Sequence, residues 1–452
     1  MNNDDKPRKN ISIKFLGSFA PTYNFERSSV KSKLDFHKQI ATISWLLLLM
    51  LVACLPVIAA EKEDAEPIKI GYIVPQSGQS AGPGTEISKG MQLYMDQINH
   101  KMAGRSVKVI IESDDSTPAT GLAKVHKLVD TDKVDLLSGL NLSNVLYGLA
   151  PAVENYKIPF VVVSAGADDI TQRNRRKWFV RIGYTSSLPA HPFGDYVYKV
   201  LKYKKVVTLC SDYSYGYEVA GGFQQCFEQA GGQVIQKLWA PLGFSDFRYL
   251  IKQIPPDADA IFLCNVGQSG PLIPKQIRDA GIKTPLIGLT ASFDESTYPK
   301  MGDELIGGVC ASLYSAALDT PANHNFVNGY RAKYGEEPSY FSESGYTAMM
   351  WIDKAVTARH GDVQDKEKLL AALQKVQLKD APRGPVKLDA YDSSIDNVYV
   401  SRVESKNGKK QNTVIYTYPL VSEFWKYSPA EYLKQPSYTK DYPPCKYCTP
   451  KK

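Results

Sequence analysis

This chain of 452 residues has a small net charge and few histidines and cysteines, and each of these features excludes a class of protein. The formal net charge of +7 lies at the two ends, so that residues 61–418 carry no net charge. A neutral body lacks the basic surface that nucleic acids require, and no nucleic-acid partner is expected. Among the six histidines and seven cysteines, Cys445 and Cys448 have zinc-ligand spacing, but the two further ligands that a zinc site needs are not nearby. Residues 82–87 lack the third glycine of a dinucleotide fingerprint, so neither a metal nor a nucleotide cofactor is expected.

One long hydrophobic run, at residues 40–60, indicates an exported protein. Lysines precede the run, small residues end it, and the acidic stretch EKEDAE follows. This is the pattern of a secretory signal peptide at 39–60, which predicts a periplasmic protein whose mature chain begins near Glu61. A transmembrane anchor is the alternative, because the run is about long enough to span a bilayer. Lipoprotein cleavage at Cys54 is a weaker alternative, because apolar sequence continues beyond that residue.

The segments at the two ends of the chain are unlike its body. Residues 1–38 form an extension that is long for a signal n-region, and a translation start near Val30 would explain it. Residues 419–452 are rich in tyrosine, proline and lysine, and we expect them to wrap the surface as an irregular tail. Within this tail, Cys445 and Cys448 follow two prolines instead of opening a helix after a strand. Their setting favours a local disulfide in an exported protein over a redox motif.

The middle of the first half predicts a strand, a helix and a second strand. Two short apolar runs, 134–137 and 160–163, each end in serine and glycine residues, as parallel strands buried on both faces do. Between them, apolar side chains recur on one face of a helix predicted over 143–156. Turn chemistry alone would also place serine and glycine at strand ends. Because helix N-termini and free N–H groups there attract anions, we expect a small carboxylate to be held by Ser143, Ser164, Ala165, Gly166 and Ala167.

The same alternation of strands and helices runs through most of the chain and then repeats. It begins with a strand predicted at 68–74 and is renewed after residue 189, which indicates two successive doubly wound units. The predicted fold class is therefore α/β, with two parallel-sheet lobes. Three helices and a hairpin close the body, at 323–334, 344–358, 366–374 and 398–418.

Four short segments stand in a fixed order along residues 66–418: SGQSAGPG from Ser77, PFVVVSAGAD from Pro159, DYSYG from Asp212 and RGPV from Arg383. In this order they resemble the leucine/isoleucine/valine-binding family of type I periplasmic solute-binding proteins, which serve ABC importers. The resemblance implies two lobes that are joined by a three-strand hinge and close on a small molecule. It also implies a membrane permease as partner, and we expect a monomer. The implied lobes are 66–186 with 294–395, and 187–293 with 396–418.

The resemblance assigns roles to individual cleft residues. Ser143 aligns with the serine that holds the ligand carboxylate, and Gly166 and Ala167 align with the backbone donors beside it. Tyr215 aligns with the cleft tyrosine of the second lobe. Asp168 stands where the family has a threonine, which is a departure within the anion pocket.

The two carboxylates that bind a ligand's α-ammonium group in this family are replaced here by Ser186 and Gly270. A buried ammonium group needs a charged or hydrogen-bonded partner, so this replacement favours a simple carboxylic acid over an amino acid. Aromatic acids are expected first, because aromatic side chains are predicted at strand ends that face the cleft. A branched-chain or other hydrophobic amino acid is the alternative, with Asp168 supplying the missing charge. The expected ligand-binding residues are Ser143, Ser164, Ala165, Gly166, Ala167, Tyr184, Tyr215, Gln268 and Phe293.

A serine hydrolase is the alternative from another class, because residues 78–82 fit GxSxG with Ser80 at its centre. A nucleophile elbow places the serine in the sharp turn between strand and helix, whereas three residues precede the motif here and a Pro-Gly pair follows it. No downstream histidine stands in a recognisable setting, so we expect no catalytic residue and no enzyme. A sensor domain of the same fold, coupled to a membrane partner, is a third hypothesis.

Overall fold

The computed structural model describes residues 66–448. The predictions for the extension at 1–38, the signal peptide at 39–60 and Cys54 lie outside these residues. Among residues 66–448, every helix is too short or too polar to span a bilayer.

The first sheet has six strands and is parallel except at one edge. Its order is β2-β3-β1-β4-β5-β6, with β2 antiparallel to β3. The strands are β1 (Ile68–Ile73), β2 (Lys101–Met102), β3 (Arg105–Glu112), β4 (Leu136–Gly139), β5 (Phe160–Val162) and β6 (Phe179–Arg181). The helices between them are α1 (Ala81–Gln97), α2 (Pro118–His126), which a π-helical turn (Lys127–Thr131) extends, and α3 (Ser143–Tyr156).

The second sheet has nine strands, parallel on one side and antiparallel on the other. Its order is β12-β13-β14-β11-β10-β9-β7-β8, and β15 pairs with β14. The parallel strands are β7 (Lys205–Ser211), β8 (Gln233–Ala240), β9 (Ala260–Cys264), β10 (Leu286–Leu289) and β11 (Val309–Ser312). The others are β12 (Gln377–Ala381), β13 (Gly384–Leu388), β14 (Ser394–Lys406) and β15 (Lys409–Val421). The helices are α4 (Ala190–Lys199), α5 (Ser214–Gln229), α6 (Arg248–Ile251) and α7 (Ser269–Asp279), and short 3-10 segments lie at Asp168–Ile170, Thr290–Ser292 and Glu295–Lys300.

Three later helices return to the first sheet, and glycines set how closely they approach it. They are α8 (Pro321–Tyr334), α9 (Tyr340–Ala358) and α10 (Lys366–Leu373). A Cβ at Gly90 of α1 would lie 1.7 Å from the carbonyl oxygen of Ser342, and one at Gly345 of α9 would lie 2.1 Å from that of Ile87. The backbones of α1 and α9 therefore touch, which only glycine permits. We call each sheet with its packed helices a lobe, the first and the second.

Local chemistry accounts for where several helices start. The hydroxyl of Thr117 accepts from the N–H of Thr120 at 3.2 Å, and Pro118 occupies the first helical position of α2. Thr320 caps α8 in the same way, and Asp365 caps α10. These side chains satisfy N–H groups that the first turn of a helix leaves free.

The first lobe was predicted to resume at residue 294, but the structure places the chain in the second sheet beyond that point. β11 pairs in parallel with β10 and antiparallel with β14, so the chain stays in the second sheet through Ser312. Residues 377–388 were also placed in the first lobe. They form the hairpin of β12 and β13, which is hydrogen-bonded to β14. A local pattern predicts that a strand exists, but it does not say which sheet the strand joins.

Arg383 lies buried where the chain passes between the lobes. Its Nε is 2.8 Å from Oε2 of Glu343 on α9, and its Nη1 is 4.0 Å from Oδ1 of Asp396 on β14. Nearby, the hydroxyl of Ser394 donates to the carbonyl oxygen of Gly183 at 2.6 Å. A buried cation thus joins a helix of the first lobe to a strand of the second.

The predicted disulfide between Cys445 and Cys448 is present. The tail that contains it is irregular, as expected, apart from one short helix, α11 (Pro429–Tyr432).

Candidate ligand-binding site

Arg181 organises the turn that follows β5. It is fully buried at the end of β6, and it donates to the carbonyl oxygens of Ala165 at 2.5 Å and Ala167 at 2.9 Å. Because a peptide unit is trans, a carbonyl and the N–H that follows it point in opposite directions. The N–H groups of Gly166 and Asp168 are therefore aimed away from the guanidinium, on the side where an anion would be accepted.

The turn itself is held in an unusual conformation. Ala167 has a φ of +32°, in the left-handed region that residues with a Cβ seldom adopt. Such strain is of the order of 1–3 kcal/mol and persists only where surrounding contacts fix the backbone. Arg181 on one side and Ser143 on the other supply those contacts.

Ser143 occupies the first position of α3 and is fully buried. Its Oγ accepts from the N–H of Ala167 at 2.9 Å, which leaves its own proton available for donation. The N-terminus of α3 adds partial positive charge at this point. Ser143 and the turn that ends in Ala167 thus form a small concave set of hydrogen-bond donors.

Four tyrosines lie buried between the two sheets. The ring centroid of Tyr184 is 5.1 Å from that of Tyr340 on α9 and 6.3 Å from that of Tyr215 on α5, and Tyr213 lies 6.0 Å from Tyr215. The hydroxyls of Tyr184 and Tyr215 are 3.2 Å apart. The hydroxyl of Tyr340 has no hydrogen-bond partner within residues 66–448. These rings offer flat apolar faces with polar tips.

Asp168 and Glu218 place two buried carboxyl groups beside this cluster. Glu218 accepts from the hydroxyls of Tyr147 at 2.6 Å and of Ser186, so a first-lobe helix is bonded directly to α5 of the second lobe. Oδ1 of Asp168 accepts from the N–H of Ser187 at 3.2 Å, while its Oδ2 has no partner among the residues described. Burial raises the pKa of Asp168 to about 6 and that of Glu218 well above its usual value.

A cavity of about 420 Å³ adjoins the acidic pair. Its walls come from the first lobe, from the start of α5 and from the C-terminal tail. The lining residues are Tyr147, Asp168, Asp169, Arg173, Ser214, Tyr217, Glu218 and residues 437–441.

Comparison with known proteins agrees with this architecture. Residues 67–409 match the family model described as "Periplasmic binding protein". This chain belongs to the periplasmic binding protein family.

Three individual proteins show the same likeness. The Leu/Ile/Val-binding protein homolog 6 of Brucella abortus (strain 2308) is 28% identical over 372 residues, which are 80% of this chain and 94% of that relative. The structure of an ABC transporter substrate-binding protein from Sphaerobacter thermophilus is 30% identical with a TM-score of 0.74, and the match covers 79% of this chain and 99% of that one. A solute-binding protein of an ABC transporter from Rhodopseudomonas palustris BisB5, in complex with 3,4-dihydroxybenzoic acid, is 28% identical with a TM-score of 0.75, over 79% of this chain and 98% of that one.

This periplasmic binding protein is the substrate-binding component of an ABC transporter. Such proteins act outside the cytoplasm, where they bind small molecules and deliver them to a membrane permease. The family consists of solute-binding proteins and not of enzymes. Ser80, the serine of the GxSxG match, is buried, and its Oγ bonds no group within residues 66–448. The hydrolase alternative is therefore wrong.

Two of the residues expected in the site of the binding protein lie elsewhere. Phe293 packs in the core of the second lobe, where a Cβ at Gly288 or Gly308 would come within 2.9 Å of its ring. Gln268 is exposed at the start of α7. Its neighbour Gly267 touches the first lobe, since a Cβ there would lie 2.0 Å from the carbonyl oxygen of Gln79. The other expected residues, Ser143, Ser164, Ala165, Gly166, Ala167, Tyr184 and Tyr215, are buried between the sheets.

Sequence reasoning missed three residues of the site in the binding protein. Arg181 was visible as one charge inside the apolar run WFVRI, and a charged residue in such a run is rarely buried without partners. Glu218 is three positions after Tyr215, which places both on one helix face. Tyr340 left no local signal, because it comes from a helix more than 100 residues further along the chain.

Proposed function

We propose that this protein closes its two lobes on a small aromatic carboxylic acid and presents it to the permease of an ABC importer. The observation that carries the proposal is that Arg181 donates both to the carbonyl oxygen of Ala165 in the donor turn and to that of Tyr184. The ring of Tyr184 lies beside those of Tyr215 and Tyr340. An aromatic acid has one charged end and one flat apolar end, which these two parts match.

The donor turn suits a carboxylate because its donors are fixed before the ligand arrives. Arg181 draws the carbonyl oxygens of Ala165 and Ala167 to one side, and the N–H groups of Gly166 and Asp168 face the other. The hydroxyl of Ser143 adds a third donor. A charged acceptor on three such donors gains more than a neutral one would.

The neighbouring acids do not oppose an anionic ligand as strongly as their number suggests. Burial raises the pKa of Glu218 well above its usual range, which favours the neutral form. The R. palustris relative, whose structure contains 3,4-dihydroxybenzoic acid, supports an aromatic acid.

A hydrophobic amino acid is a second candidate, and one observation favours it. The free Oδ2 of Asp168 and the carboxyl of Glu218 line one cavity, so an ammonium group there would meet two acids. These residues would replace the carboxylates missing at Ser186 and Gly270. The relative named as a Leu/Ile/Val-binding protein homolog supports this reading.

Calorimetric titration at pH 7 and fixed salt separates the two candidates. We expect benzoate and 3,4-dihydroxybenzoate to bind at least tenfold more tightly than leucine. Cyclohexanecarboxylate is the matched control, since it keeps the carboxylate and the size but removes the aromatic face. If leucine binds tenfold more tightly than every acid, the amino-acid function replaces the proposed one.

The route to the periplasm is part of the same proposal. We expect cleavage of the signal peptide at 39–60 and a mature chain that begins near Glu61 and acts as a monomer. Intact-mass measurement on protein from the native host tests this. A retained segment 40–60 or a lipid on Cys54 would contradict it.

A further inference from the structure

The last part of the chain that the structure describes, residues 422–448, touches both lobes, and we call it the C-terminal strap. It begins where β15 ends beside β14, and its residues 437–441 line the cavity next to Asp168 and Glu218. Glu423, near its start, is fully buried and accepts from the hydroxyl of Thr171 in the first lobe at 2.9 Å. The buried side chains of Tyr432 and Tyr438 fix the middle of the strap to the protein. The strap is therefore docked to the protein, although it has little regular structure.

The contacts with the first lobe centre on Arg173. Its Nε donates to the carbonyl oxygen of Gln435 at 2.7 Å, and its Nη2 donates to that of Tyr432 at 3.1 Å. The hydroxyl of Ser437 donates to Asp169, the carboxylate with which Arg173 also pairs. One arginine thus fixes two successive parts of the strap.

The contacts with the second lobe lie on α4, α5 and the loop before α5. Lys440 pairs with Asp212 at 2.8 Å, and the hydroxyl of Tyr438 is 3.0 Å from Nε2 of His191. The ring of Tyr438 lies on Gly221, where a Cβ would come within 2.4 Å of it. This close approach is specific, because any other residue at position 221 would displace the ring.

Tyr432 joins the two sets of contacts. Its ring centroid is 5.0 Å from the guanidinium carbon of Arg173 in the first lobe and 5.7 Å from the ring of His191 in the second. Tyr432 and His191 are both fully buried. This contact is therefore shielded from solvent.

The strap also forms one wall of the cavity beside the candidate site. Residues 437–441 line it, opposite Tyr147 of the first lobe and Glu218 of the second. Because the strap is bonded to both lobes, they cannot separate unless one set of its contacts breaks.

We propose that the C-terminal strap is a latch that holds the two lobes together and controls release of the ligand. This inference rests on the proposed function in one respect only, the hinge opening that exchanges ligand. It adds a component outside residues 67–409, which are the part that matches the family model.

The test measures the separation of the lobes directly, without ligand. Spin labels at Asn155→Cys on α3 and Lys275→Cys on α7 report the distance between lobes by pulsed electron resonance. The four free cysteines in residues 66–448 are buried and remain unlabelled. We expect one narrow distance in the otherwise unaltered chain. Arg173→Gln removes the bonds to Gln435 and Tyr432 in the strap, and Gly221→Ala puts a Cβ where the ring of Tyr438 packs on α5. Each variant should add a longer distance.

Release kinetics supply a second readout. With benzoate and leucine as probes, each variant should release the better-bound probe about tenfold faster. If neither probe binds the unaltered protein, the proposed function fails, and the interlobe distances alone decide on the latch.

Arg359→Gln is the matched control, because its partner Asp362 lies in the same lobe and neither side chain is bonded to the strap or to the second lobe. Circular dichroism checks the fold of every variant, and Ser437→Ala replaces Arg173→Gln if that variant does not fold. A longer distance in both strap variants supports the latch. Unchanged distances overturn it. A change in only one variant also overturns it, because a strap that binds a single lobe cannot hold the two lobes together.

Discussion

Ser143 is the residue whose removal tests the candidate site most directly. It holds the N–H of Ala167 and keeps a proton to donate to a ligand. We expect Ser143→Ala to weaken benzoate binding about tenfold to a hundredfold, since a hydrogen bond to a charged group contributes about 1.5–3 kcal/mol. Titration calorimetry measures the loss. Ser138→Ala is the control, because Ser138 is equally buried but bonds only the carbonyl of Val161. Equal affinities in the two variants would remove Ser143 from the site.

Arg383 carries a different kind of prediction, one about stability. Replacing it with methionine would leave Glu343 and Asp396 buried without their cation. Breaking a buried ion pair by removing one partner costs about 3–5 kcal/mol, so the free energy of unfolding of Arg383→Met should fall by that amount. Denaturant titration measures it. Lys177→Met, which removes an exposed pair with Glu367, should cost about 1 kcal/mol or less. Equal losses would show that burial of the pair is unimportant.

At the scale of single elements, the sequence predicts what is local and fails at what is not. The helix at 143–156 was predicted with the bounds observed, because its apolar periodicity is complete within the segment. The hairpin of β12 and β13 was missed, since its strands are largely exposed and have no apolar run. The candidate site follows the same rule. Its donor turn lies within one βαβ unit and could be proposed from the sequence, whereas Tyr340 reaches it only through tertiary packing.

The 3-10 segment at Glu295–Lys300 makes stability depend on pH. Asp294 and Glu295 are buried at its start, and burial raises the pKa of Asp294 to about 7 and that of Glu295 to about 8. Because the folded state holds these protons more tightly than the unfolded state, the stabilisation is present at low pH and is lost as pH rises towards 8. Burial lowers the pKa of His191 to about 3. This histidine makes stability increase with pH, but only below about pH 6.5, where the unfolded chain binds the proton.

Between pH 6.5 and 8, unfolding free energy should therefore fall, with Glu295 contributing up to about 1 kcal/mol per pH unit. Glu295→Gln removes this contribution and should flatten the slope. Denaturant titrations at several pH values measure it, and Glu367→Gln, at a largely exposed side chain, serves as control. A slope that stays the same in Glu295→Gln would contradict the assignment.

At the scale of the whole molecule, a ligand held between two lobes should stabilise them together. At a hundredfold excess over its dissociation constant, a ligand that binds only the folded state adds about 2.7 kcal/mol. We expect benzoate to raise the midpoint of a single thermal transition. The same benzoate concentration should produce a smaller rise in Ser143→Ala. Two transitions, of which benzoate moves only one, would show that the ligand contacts a single lobe.

The pairing of β11 with β14 has a consequence for how the chain is made. Val309 bonds to the strand that contains Arg402, and β14 completes the second sheet only after an excursion through the first lobe. Pairings so distant in sequence form slowly, because the entropy of closing a long loop is lost before the stabilising contacts form. Since the amino end emerges first from a ribosome, β11 stays an open sheet edge until nearly the whole chain has appeared. The second lobe is thus the last part to finish folding, which suits a protein that must cross a membrane before it becomes compact.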